Sequence, residues 1–240
     1  MEAIADMVQR MRADRPTTCE TLEAIWARDI FLVKLCCSNP LRKRNIACLE
    51  WTPDNKEGHR PSNKCALYQR TDGSWWIFVP KQLLKNRKGE QIDDYDSPVH
   101  ESVRADLERY LFKYRAVLMR FPTNYVLLAR TRDPNSTPRA RKGREKRKQT
   151  PTEHRPYMEY SKRLSYLTKK YLWRCDGIGS HAFRHIAATS ILKAPGGDIK
   201  TAALVLNDSE LTVQKNYSGM QSGDGTKRMG ELLGASFNRM

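Results

Sequence analysis

The chain has 240 residues, with 43 Lys and Arg against 27 Asp and Glu, a formal net charge of +16 and a pI near 9.7. This length suits one large domain or two small ones with a real buried core, and so strong a basic excess points to an anionic polymer as partner. No run of about 18 apolar residues exists to span a bilayer, and the start, MEAIADMVQRMRADRP, lacks the charged-then-apolar layout of a signal peptide, so a cytoplasmic protein is expected, nucleoid-associated in a bacterium.

Six cysteines (Cys19, Cys36, Cys37, Cys48, Cys65, Cys175) are scattered, without a CxxC pair or a His at metal-ligand spacing. They read as reduced thiols, mostly in the core, with neither a disulfide framework nor zinc.

Residues 1 to 13 suit a short amphipathic helix stopped at Arg15-Pro16. A longer helix follows, capped by Thr17 or Thr18 and apolar nearly all round in its second half, which places it in a core. After Asn39-Pro40, LRKRNIACLEW reads as a short helix with Arg42, Lys43 and Arg44 at its start. Cations there oppose the helix dipole unless an anion sits beside them. CALYQRT and SWWIFVP are strand-like runs joined by Asp72-Gly73, a strong hairpin signal. A polar turn, KQLLKNRKGE, and an acidic loop over residues 90 to 98 come next. Val103, Leu107, Tyr110, Leu111, Tyr114, Leu118 and Phe121 then recur at helical spacing. Residues 122 to 156 hold the short apolar piece YVLLA and a proline-rich basic loop. Within it, Arg139 to Lys148 carries seven basic residues and one acidic, an arrangement fit for phosphate contact. A helix marked by Tyr160, Leu164, Leu167 and Tyr171 leads to a turn at Cys175-Asp176-Gly177.

The stretch from Gly179 to Gly219 predicts three short helices in series, the first capped by Ser180. At about 100° per residue, Phe183, Ile186, Ala187, Ser190 and Ile191 share one side and His181, Arg184 and His185 the other, so the polar side is expected to face a ligand. A guanidinium and an imidazole one turn apart at a helix N-terminus suit an oxyanion, with phosphate the obvious candidate.

The order Arg42, Lys85, His181-x-x-Arg184, Tyr217 resembles the catalytic domain of the tyrosine recombinases, the phage integrase family. LRKRNIACLEW is similar to the family's first-arginine segment, VPKQLLKNRKG to its lysine segment, SHAFRHIAAT to its HxxRH box, and LNDSELTVQKNYSG to the approach to its nucleophile. Lys85 matches the family's lysine better than Lys81 or Lys88. At one position the chain departs from the family pattern: nine residues before Tyr217, where the family usually has His or Trp, stands Asp208, beside Asn207.

The resemblance implies a mainly α fold with a small antiparallel β-sheet (α+β) and a site-specific recombinase or integrase of a mobile element. Arg42 and Arg184 would hold the non-bridging oxygens of a phosphodiester, His181 would take the proton of Tyr217, and Lys85 would protonate the leaving 5′-oxygen. The resulting 3′-phosphotyrosine is rejoined with no cofactor, neither metal nor ATP. Asn207, Asp208 and His185 are accessory candidates. Arg44, Arg87, Lys88, Arg139, Arg141, Lys142, Arg144, Lys146, Arg147 and Lys148 are expected to contact the backbone of double-stranded DNA. Residues 1–240 are expected to form a single catalytic domain, with 1–16 an N-terminal helix or linker remnant, 17–220 the core and 221–240 a tail helix. The family's separate core-binding domain is expected to be absent, and the tail either folds back or links protomers into a homo-oligomer, a tetramer on DNA. A type IB topoisomerase and a non-catalytic DNA-binding module are the alternatives.

Overall fold

Glu20–Ser38 (α2) has too little polar surface to lie against water, and the chain wraps around it. In the computed structural model, which describes residues 1–57, 59–84, 93–129 and 153–217, α2 buries Ile30, Phe31, Leu32, Val33 and Leu35. The described residues fall into two compact units, Met1–Arg184 and a second beginning at His185.

In the first unit, Glu2–Ala13 (α1) turns Ile4, Met7, Val8 and Met11 inward and packs on α2. The start of α2 differs from the sequence expectation. Cys19, not Thr17 or Thr18, holds the N-cap position without a side-chain cap bond, and Arg15 instead pairs with Glu23 in the first turn. Lys43–Ala47 (α3) follows, with Arg42 at its N-cap position.

Ala66–Gln69 (β1) and Trp75–Val79 (β2) form the hairpin expected from Asp72-Gly73, pairing Leu67 with Ile77. Gly73 adopts φ 79° at the turn, a conformation that glycine enters without steric cost. The acidic segment expected as loop is in part a third strand, Tyr95–Pro98 (β3), antiparallel to β2 with Phe78 opposite Asp96. Two features hide this strand in the sequence. It is an edge strand, where a terminal proline costs no ladder bond, and its Asp96 is matched by the Tyr68 hydroxyl at 2.8 Å and by Arg60. The sheet order is β1-β2-β3.

The long periodic segment is helical in three consecutive pieces: Glu101–Glu108 (α4), a π-helical turn Arg109–Tyr114, and Arg115–Leu118 (α5). Tyr110 in the π turn stacks on Phe31 with ring centroids 5.6 Å apart, and its hydroxyl donates to the Val126 carbonyl at 2.9 Å. Tyr160–Tyr171 (α6) packs on α1. Two buried ionic clusters tie this unit together. Asp106 of α4 accepts from Arg12 of α1 and Lys34 of α2, and Asp29 of α2 lies between Arg28 and Arg163 of α6.

The unit boundary falls within Ser180–Lys193 (α7). In the second unit, Ala188 and Leu192 from α7 pack with Ala202, Ala203 and Leu206 from Ile199–Leu206 (α8), and with Val213 and Tyr217 from Glu210–Tyr217 (α9). Asp198 caps α8 by accepting from the Thr201 amide at 2.7 Å, and Ser209 accepts from the Thr212 amide at the start of α9. The outcome is mainly α with a small three-stranded antiparallel sheet, the fold class expected. Among the described residues, no helix is long and apolar enough to cross a membrane.

The cysteines are free. Cys36 and Cys65 are buried, whereas Cys19 is exposed and the other three are intermediate, so fewer are in the core than the sequence suggested. Burial raises the thiol of Cys37 to about 11 and, as the largest cause, that of Cys65 to about 12.

Candidate active site

Arg184 is 3 % exposed. Its position near the start of α7 predicts a side chain turned toward a ligand, yet its Nη1 donates to the Pro40 carbonyl across 144 residues of sequence. Burial of a permanently charged guanidinium is tolerated only where its donors meet acceptors. A guanidinium carries five N–H groups in a planar fork, so one bond to a carbonyl fixes the plane without exhausting it. The expectation of a fully outward polar face is therefore corrected: His181 is exposed, while Arg184 points into the protein.

That bond also places Arg42. Pro40 and Arg42 are two residues apart, so their Cα atoms are within about 7 Å of each other, and the half-buried Arg42 begins α3 beside the carbonyl that Arg184 holds. The Arg42 backbone carbonyl accepts the Asn45 and Ile46 amides at 2.9 and 3.3 Å, which fixes the turn. Arg44, a candidate DNA contact, is exposed on the same short helix.

Two tyrosines that sequence reasoning did not assign to the site, Tyr95 and Tyr160, feel the charge of Arg184. Tyr95 accepts a hydrogen bond from Asn39 Nδ2 at 3.1 Å. Burial raises its pKa, opposed by Asn39, Ser97 and the charge of Arg184. Tyr160 is fully buried, and burial raises its pKa strongly, with Ser180 and Arg184 acting the other way. Its hydroxyl has no hydrogen bond of sound geometry among the described residues. In the sequence Tyr160 reads only as a core-facing helix residue, and Tyr95 lies in the segment expected as an acidic loop.

Ser180 is the first residue of α7, and its hydroxyl meets Ser161 Oγ at 3.1 Å. The expected helix cap is thus a tie to α6. The Ser180 amide donates to the same Ser161 oxygen at 3.1 Å, so the site's helix is anchored at its start.

In the second unit, Tyr217 ends α9 at 5 % exposure within the apolar cluster of that unit. The His185 ring lies against it, centroids 4.5 Å apart and tilted by 55°. Asn207 takes the left-handed conformation, φ 47° and ψ 60°, that ends α8, and the Asp208 amide donates to the Ala203 carbonyl at 3.0 Å. This is a helix C-terminus closed by a left-handed residue, a position where Asn is favoured after Gly. Asn207 and Asp208 therefore have a structural task independent of any ligand.

Lys85, Arg87 and Lys88, the basic run from Arg139 to Lys148 and the tail at 221–240 lie outside the described residues. Among the described residues, no group of three or more His, Cys, Asp and Glu is placed to hold a metal ion.

Comparison with family models and with curated proteins finds no match. Among solved structures, the crystal structure of XerA recombinase is similar, with a TM-score of 0.55 at 14 % sequence identity, over 96 % of this chain and 62 % of that one. The chain thus spans less than two thirds of the length of that protein, and the likeness is one of fold.

Proposed function

We propose that the chain is a DNA strand-transferase of the tyrosine recombinase type, cutting and rejoining double-stranded DNA through a covalent 3′-phosphotyrosyl intermediate. The observation that carries the reading is the bond from Arg184 to the Pro40 carbonyl. It ties Arg184 to the carbonyl two residues before Arg42, which lies 142 residues earlier in the sequence, and this supports the motif order, in which both arginines serve one phosphate.

In this reading Arg42 and Arg184 donate to the non-bridging oxygens as negative charge grows on them. The Tyr217 phenol oxygen forms a bond to phosphorus, its proton passes to His181, and the bond from phosphorus to the 5′-oxygen breaks with a proton from Lys85. A 5′-hydroxyl of the partner strand then reverses the sequence, so the number of phosphodiester bonds is conserved and no energy source is consumed. His185, packed on the Tyr217 ring, orients the phenol. Exposed basic residues such as Arg44 engage the backbone, with homo-oligomeric assembly and origin in a mobile element as the finer parts of the proposal.

A second reading, a non-catalytic DNA-binding module, draws support from the burial of Tyr217 in its own apolar cluster. One experiment separates the two. A nicked suicide duplex is incubated with the protein and resolved on a denaturing gel. The enzyme reading expects a protein–DNA adduct in the wild type that is lost in Tyr217→Phe, whereas DNA binding without any adduct supports the module.

A further inference from the structure

Trp173 is 77 % exposed, whereas Trp26 and Trp75 are buried and Trp51 and Trp76 are half-buried. It stands on the connection between α6 and α7, with the Arg174 guanidinium carbon 4.2 Å from its ring centroid. Leaving an indole in water forfeits roughly 2–3 kcal/mol of burial, so its position calls for an explanation.

The connection holds the ring out on a rigid support. The Thr168 hydroxyl, on α6, accepts the Ile178 amide at 2.8 Å and donates back to the Leu164 carbonyl at 2.9 Å. Ser161 accepts the Ser180 amide. Gly177 has φ 99°, and a Cβ there would lie 2.6 Å from the Ser165 carbonyl oxygen, while one on Gly179 would lie 2.7 Å from Ser161 Oγ. Arg174 itself adopts φ 53°, a conformation that costs a non-glycine residue about 1 kcal/mol or more. The backbone thus bends tightly just after Trp173, and it is tied to α6 just before the ring, where the Leu172 amide donates to the Thr168 carbonyl at 2.9 Å, and again at Ile178 and Ser180.

The surroundings are cationic. Arg174 and Lys169 are exposed and have no ion-pair partner among the described residues. Tyr166, 55 % exposed, lies on the same helix with the Arg163 guanidinium carbon 4.9 Å from its ring centroid. Asp176 is the acid in the connection. The exposed neighbours Arg174, Lys169 and Tyr166 are cationic or aromatic rather than aliphatic, unlike the apolar centre of a protein-docking face. What fits is a ligand both flat and aromatic and negatively charged.

We infer that Trp173 is a stacking platform for a nucleobase displaced from its duplex, with Arg174 and Lys169 taking the adjoining phosphates. Every base presents a π face to such a ring, but in an intact helix those faces are covered by neighbouring pairs. The ring therefore distinguishes interrupted from continuous DNA. Strand cutting and rejoining generates such interruptions, and Trp173 lies eight residues before His181 on the connection that runs into α7. The inference rests on the DNA reading above.

Fluorescence anisotropy with the full chain tests it. Two labelled duplexes of one sequence are compared at fixed salt, one fully paired and one with three consecutive unpaired nucleotides, using wild type, Trp173→Ala and Trp173→Phe. The wild type binds the interrupted duplex more tightly. Trp173→Ala weakens that complex by roughly 10–100-fold, a loss of about 1–3 kcal/mol for one stacked base, and leaves the paired duplex within about twofold, while Trp173→Phe retains most of the preference. Equal weakening on both duplexes, or none on either, overturns the stacking role while leaving the DNA reading in place. Failure of the wild type to bind either duplex removes both. A thermal melt of Trp173→Ala matching the wild type assigns any loss to contact rather than to unfolding.

Discussion

Arg184 holds the chain at Pro40, and in the proposed reading the same fork of donors also meets a phosphate. In Arg184→Ala the Pro40 carbonyl loses its buried donor, which costs about 1–3 kcal/mol of stability, and the reaction loses a transition-state contact of about 2.7–4 kcal/mol. Adduct formation on a suicide duplex under single-turnover conditions is expected to slow by roughly 100–1,000-fold, with urea unfolding showing the smaller stability loss. A variant of normal rate would remove Arg184 from the reaction. His154 gives a prediction of a different kind. Its Nε2 accepts the Arg120 backbone amide at 2.9 Å, which only the neutral ring can do, and burial, then the charge of Arg115, hold its pKa below the ordinary 6.5. With a depressed folded pKa, the unfolded chain binds the proton more readily. The stabilising contribution is complete above pH 6.5 and is lost as pH falls through the folded value. An NMR titration of the His154 ring is expected to show a midpoint under 6.5, and a midpoint at or above it would contradict this environment. At this scale His181 and Arg184 became candidates through their spacing together with the motif resemblance. Pro40, Tyr95 and Tyr160 did not, because a contact spanning 144 residues leaves no local pattern.

Between elements, charge does what the apolar periodicity does not announce. Asp29 sits in the middle of the mostly apolar α2 and reads as a polar interruption, yet it is 1 % exposed and accepts from Arg28 at 2.7 Å and Arg163 at 2.7 Å. Arg28 continues the network to the Leu128 carbonyl at 2.8 Å. Removing the acid leaves a buried guanidinium uncompensated, so Asp29→Ala is expected to cost about 3–5 kcal/mol in urea unfolding. A loss under about 1 kcal/mol would mean that Arg28 finds another partner or reaches water. The helices and the hairpin followed from periodicity and turn residues. β3 did not, because its edge position and its cation-matched Asp96 make a strand look like an acidic loop. The π turn at Arg109–Tyr114 was equally hidden. A single π turn inside an otherwise α-helical segment shifts the apolar stripe too little to stand out from the spacing of seven residues, and Tyr110 within it meets Phe31 and the Val126 carbonyl.

For the molecule as a whole, the net charge of +16 narrows the partner to a polyanion, but charge has no means of naming a reaction. The proposed reaction rests on the order of a few side chains; the structure ties Arg184 to the Pro40 carbonyl, two residues before Arg42, in one unit and packs His185 on Tyr217 in the other. Sequence reasoning reached the second pair by motif and missed its packing, since Tyr217 serves as a core residue of its unit as well as the candidate nucleophile. The central claim is that this phenol, and not another of the ten tyrosines, becomes bonded to DNA. The most direct measurement is mass-spectrometric peptide mapping of the covalent adduct trapped on a suicide duplex, after nuclease trimming. The account predicts a single modified peptide carrying a nucleotide through its 3′-phosphate on Tyr217, whereas a nucleotide on any other residue, a 5′-phosphate linkage, or DNA binding with no adduct at all would contradict it.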